Sequence, residues 1–193
     1  MKQNVNRYCR QQIAVIQSVI CVKLLTIWTI LMLALFSAPL ALAEENTYPG
    51  NKAGAAKLLK QFLNRDADVR VLTLSLKPSK QDYEAIYKQP LAGLLQEAHK
   101  PMWENKNNAI RPREGQTEIL LGMTTTDALI AKGWELGEFP GGYKDVVAHM
   151  KPGVAIARFK FLEPGGTLGM AFDGLIHVNG RWVFIPKPWR ALP

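Results

Sequence analysis

Cysteine is nearly absent from this 193-residue chain, and both examples, Cys9 and Cys21, fall within the first 43 residues. Everything after Ala43 therefore lacks a thiol nucleophile, a disulfide and a cysteine metal ligand. Serine is almost as scarce there, limited to Ser75 and Ser79. Neither lies in a Gly-x-Ser-x-Gly turn, which excludes the serine elbow of the α/β-hydrolases. The histidines, His99, His149 and His177, are too far apart for a His-x-x-x-His zinc pair. No metal and no cofactor is expected on these residues. The glycines of Phe139-Pro140-Gly141-Gly142 lack the Lys-Ser/Thr that completes a phosphate loop, so they read as a turn entering a helix.

Acidic residues are missing from the first 43 positions, which hold four of the 24 basic residues and none of the 16 acids. The net charge of +8 therefore falls to +4 for the remainder. No block of like charge is left to suggest a nucleic-acid partner. Lys2, Arg7, Arg10 and Lys23 precede the apolar run Leu24 to Phe36, and small residues follow at Ala41 and Ala43. That is the order of an export signal: basic region, apolar region, Ala-x-Ala cleavage site. An uncleaved anchor across the inner membrane is the alternative, with Glu44 and Glu45 on the periplasmic side. The expected organisation is a signal or anchor over 1–43, a tether over 44–50 and a single α+β domain over 51–193, periplasmic or secreted.

Apolar spacing predicts a helix over 52–64, capped by Asn51 and burying Ala55, Leu58, Leu59, Phe62 and Leu63. Val69 to Leu76 fits a helix turn and a short strand equally. Ser79 and Asp82 form a capping box opening a helix with Tyr83, Ile86 and Tyr87 on one face. Pro90 restarts a helix that Pro101 is expected to stop, and a polar loop leads to a strand over Thr117 to Met123. A second box, Thr124 with Asp127, predicts a short helix ended by a left-handed Gly133. Tyr143, Val146, Val147 and Met150 mark another buried helical face, with Asp145 and His149 suiting its two ends.

The C-terminal third changes period. Three strands are predicted over 153–162, 167–178 and 181–186, turning at Pro164-Gly165 and Asn179-Gly180. Two-residue turns set Val178 against Arg181, Ile176 against Val183, Phe159 against Met170 and Asp173 against Ile156. One face then carries Ala157, Phe159, Phe161, Leu168, Met170, Phe172, Ile176, Val183 and Ile185 as the core. The other carries Arg158, Asp173, His177 and Trp182, a candidate ligand-binding surface. On it Arg158 and Asp173 are placed to form an ion pair, and Asp173 and His177 are the candidate acid/base residues. The simpler reading puts that face beneath the N-terminal helices. At the end of the chain, Trp189 either caps the core or joins Lys187 and Arg190 in a cationic and aromatic site.

The N-terminal helices and the hairpin Asn179-Gly180-Arg181-Trp182-Val183 resemble NTF2-like and cystatin-like domains. The stretch from Phe172-Asp173-Gly174-Leu175-Ile176 to Pro188-Trp189-Arg190 also resembles the ending of small exported bacterial proteins without an assigned activity. The first resemblance implies helices packed on an antiparallel meander, with Asp173, His177 and Trp182 lining a pocket. That fold hosts both enzymes and binders, so function has to come from the site. Three functions follow: a non-catalytic exported domain that binds a small ligand or an envelope protein, a periplasmic enzyme working through Asp173 and His177, and an anchored structural protein.

Overall fold

The computed structural model describes residues 48–192, so the expected export signal over 1–43 lies outside the described residues. The fold is α+β, with helices around a four-stranded antiparallel sheet of order β1-β2-β3-β4. Four helices come first: α1 (Lys52–Gln61), α2 (Val69–Ser75), α3 (Lys80–Ile86) and α4 (Leu91–Glu104). After β1 (Glu118–Thr125) come α5 (Thr126–Ile130) and α6 (Tyr143–Val146). The sheet is completed by β2 (Ala155–Leu162), β3 (Ala171–Val178) and β4 (Arg181–Phe184), and the tail ends in a 3-10 turn over Pro188–Ala191. Among the described residues, no helix is long and apolar enough to cross a membrane.

Local caps explain the helix starts. Asn51 accepts the Gly54 N–H at 2.9 Å, and the Ser79/Asp82 box is fully formed. Asp68 resolves the ambiguous segment in favour of a helix by accepting the Arg70 and Val71 N–H groups at 2.9 and 3.1 Å. Three expectations fail. Pro101 sits inside α4, because the added turn buries Trp103, whose carbonyl is held by Arg70 Nη2 at 3.0 Å. The cap of α5 is Thr125, not Thr124, and Asp127 instead accepts the Gly153 N–H at 2.7 Å. The left-handed residue after α5 is Lys132 at φ 56° rather than Gly133.

The Asn179-Gly180 turn has positive φ at both residues, 51° and 75°. It gives the expected pairs Val178 with Arg181 and Ile176 with Val183. The β2–β3 register differs from expectation. Ile156 faces Ile176 rather than Asp173, and Phe159 faces Phe172 rather than Met170, with a bulge between Ala157 and Phe159. The Pro164-Gly165 turn does close, with the Gly166 N–H donating to the Glu163 carbonyl at 2.9 Å. Pairing begins only at Ala171, however, so Leu168 and Met170 are exposed rather than buried.

A slip by an odd number of residues exchanges the faces of a strand, and here the predicted core set is divided between two cores. Ile156, Ile176, Val183 and Ile185 pack against α3, α4, α5 and α6. Ala157, Phe159, Phe161, Leu175, Trp182 and Phe184 pack on the opposite side with α1, Leu76 and Trp103. Both faces of the sheet are therefore covered. The outer side of β4 is occupied too: Phe184 N–H donates to the Leu76 carbonyl, and Arg181 Nη2 donates to the Ser75 and Lys77 carbonyls, each at 2.9 Å.

Candidate functional site

The four residues singled out in the sequence do not form one surface. His177 and Trp182 are cross-strand partners, their rings edge to face at 5.1 Å. Trp182 is only 3% exposed, with its indole N–H unpartnered, and Gly50 is seated against the His177 ring. Burial pushes the His177 pKa down. Arg158 pairs with Glu138, replacing the expected pair with Asp173. Asp173 is buried, and its carboxylate accepts the Lys187 N–H at 3.1 Å. Its neighbours Tyr87 and Tyr143 belong to the first core, whereas Trp182 beside His177 belongs to the second.

A cleft of about 440 Å³ opens beside Asp173. The second half of α4 supplies His99, Met102 and Trp103, the loop after it supplies Asn108 and Ile110, and the sheet supplies Phe172, Asp173 and Phe184. The tail closes it with Pro186, Lys187 and Arg190. Lys187 is left-handed at φ 51°, which turns its N–H back onto Asp173. Trp189 leaves this group: its ring meets Tyr143 at 5.5 Å and Gly142 lies against it, so it caps the core.

The electrostatics follow from the hydrogen bonds. His99 Nε2 lies 3.0 Å from the Pro186 carbonyl, which can only accept, so that nitrogen carries the proton. Nδ1 is then left to accept from the Tyr83 hydroxyl at 3.2 Å. Burial holds the His99 pKa down against the Pro186 bond, and the ring is neutral with both nitrogens engaged. Burial raises the Asp173 pKa, opposed by the Lys187 N–H and the nearby Tyr143 hydroxyl. The Tyr143 and Tyr87 hydroxyls are buried beyond hydrogen-bond geometry of any described partner. Burial pushes the Tyr83 pKa up to about 12, keeping that hydroxyl a donor.

The cleft thus has aromatic and thioether walls, two rim cations and one buried carboxyl, with no free imidazole nitrogen at His99. No group of three metal-ligating side chains occurs among the described residues. Lys187 and Arg190 were legible from the basic tail. Met102 and Trp103 were hidden by reading Pro101 as a helix stop, and only the apolar pair directly after that proline signalled them. His99 carried no local signal, because its partners are 16 and 87 residues away. The chain matches no protein-family model, no curated protein and no solved structure.

Proposed function

We propose that this chain is a non-catalytic binding or accessory domain working outside the cytoplasm, and that the cleft beside Asp173 takes a small ligand with an apolar body and an anionic end. The observation that carries this reading is the pairing of Lys187 and Arg190 at the rim with Met102, Trp103, Phe172 and Phe184 along the walls. Pockets of this size, mostly apolar with a few placed polar groups, are the usual form of a small-molecule site. The bonding of both His99 nitrogens weighs against acid/base work. The export pattern of residues 1–43 supports placement beyond the membrane.

The test uses the full chain and anilinonaphthalene sulfonate, an apolar body with one anionic group, followed by its fluorescence and by quenching of tryptophan. Saturable binding is expected, and it should fall by about thirtyfold in Lys187→Asn plus Arg190→Ala, each lost charge contributing about 1 kcal/mol. Asparagine tolerates the left-handed backbone at 187. Equal binding by this variant, or equal affinity for a cationic dye of similar size, defeats the reading. Sequencing the N-terminus of protein recovered from its native cells tests the export half, which expects Glu44 as the first residue.

The enzyme reading keeps one supporting observation, a buried carboxyl of raised pKa lining a cleft. Its proposed partner His177 lies against Trp182 of the other core. The binding reading is therefore preferred.

A further inference from the structure

β1 and β4 are the two outer strands of the sheet, and β4 is covered by Leu76 and the Arg181 side chain. β1 is different. Thr126 N–H donates to the Val154 carbonyl at 2.8 Å, continuing the register in which Thr124 faces Ile156. Alternate residues of an antiparallel strand direct both backbone groups to one side. Ile119, Leu121 and Met123 therefore turn their N–H and C=O groups away from β2, and none of these groups has a hydrogen-bond partner among the described residues.

The strand also lacks the usual protection of an edge. Glu118–Thr125 contains no proline and no lysine, and its pairing with β2 has no bulge. Beside it lies a groove of about 480 Å³ lined by Lys52, Ala56, Lys60, Leu63, Ile119 and Leu121. The helix forming its other wall, α1, carries Lys52, Lys57 and Lys60 and no acid. The lone acid lining the groove is Glu118.

We propose that β1 is a docking edge for an extended acidic segment of a partner protein, added as a fifth strand with its carboxylates toward Lys52 and Lys60. Backbone pairing supplies affinity in this mode and alternate side chains supply specificity. Charge complementarity decides against a second copy of the chain. Joining β1 to β1 would bring two acid-free lysine helices onto one face of a shared sheet, a like-charge arrangement that opposes association.

The test uses the full chain, fluorescence anisotropy and a labelled peptide of alternating Glu and Thr, about ten residues long to match a strand. Its two controls are the same peptide N-methylated at every second residue and its Lys-for-Glu counterpart. Saturable binding of the acidic peptide is expected, weakened by at least about tenfold on N-methylation, because several backbone hydrogen bonds are lost together. Binding should slow amide exchange at Ile119, Leu121 and Met123. Lys52 and Lys60 are exposed, so Lys52→Glu plus Lys60→Glu should keep the fold and reverse the preference towards the lysine peptide. Binding indifferent to N-methylation, or no binding, overturns the proposal. Slow exchange at those three amides without peptide also overturns it, and sedimentation then shows whether a second copy holds the edge.

Discussion

Asp82 Oδ2 accepts from Arg181 Nη1 at 2.8 Å, joining residues 99 apart in sequence. The same carboxylate accepts the Ser79 N–H at 2.8 Å, while its other oxygen accepts Asn179 Nδ2 at 2.8 Å. One buried side chain therefore closes the capping box of α3 and holds the Asn179-Gly180 turn.

Asp82→Ala should destabilise the protein by about 3 kcal/mol, since it removes a cap and leaves Arg181 without its anion. Ser79→Ala removes the cap alone and should cost about 1 kcal/mol. Urea denaturation of both variants checks the ratio. Equal costs would mean that the contacts to Arg181 and Asn179 add nothing.

The same group predicts a pH effect. Burial tends to raise the Asp82 pKa, but bonds from Ser79 and Asn179 and the Arg181 charge hold it below its unfolded value of 3.8. Its folded pKa is the lower one, so its stabilisation is present above the unfolded value and is lost as pH falls through the folded value. The stability difference between wild type and Asp82→Asn should shrink on acidification.

Asp173 acts with the opposite sign. Burial raises its folded pKa, so its contribution is fully present below the unfolded value of 3.8 and is lost as pH rises through the folded one. Asp173→Asn can still accept the Lys187 N–H, and it should melt higher than wild type at neutral pH. At low pH the two should melt together, and a variant less stable at neutral pH would contradict this account.

Trp182→Ala should cost about 3 to 5 kcal/mol, the usual penalty for emptying a large aromatic site in a core. Trp182→Phe keeps an aromatic ring and gives up part of the indole together with an N–H that has no partner, so it should cost clearly less than Trp182→Ala. Thermal melts distinguish this from a ligand-contact role, in which both variants would fold normally.

Gly174→Ala should be more disruptive than its size suggests. Gly174 has φ +79°, and a Cβ there would collide with the Ile185 carbonyl oxygen. The left-handed backbone alone costs about 1 to 2 kcal/mol for a residue with a Cβ. A melting temperature close to wild type would show that β3 and the Ile185 segment are not held this closely.

Interactions a few residues apart were readable from the sequence: the Asn51 cap, the Ser79/Asp82 box, the Asn179-Gly180 turn and the last hairpin's register. Their geometry depends on neighbouring backbone and little else. The candidate site was readable only in part. Asp173, Lys187 and Arg190 stand out by charge, whereas Trp103 lies beyond a proline and His99 is defined by distant partners.

The α+β class and the buried face Tyr143, Val146, Val147 and Met150 were determined by the sequence alone, through turn chemistry and apolar period. Tertiary structure alone decided the β2–β3 register, the covering of both sheet faces and the separation of Asp173 from His177. Two causes combine: the loop before Ala171 is longer than a two-residue turn, and the bulge opposite Ala157 and Phe159 adds one residue on β3, so Leu175 joins Phe172 on one face and Ile176 turns to the other. Whether a strand bulges depends on packing from elements remote in sequence, and the local pattern does not record it.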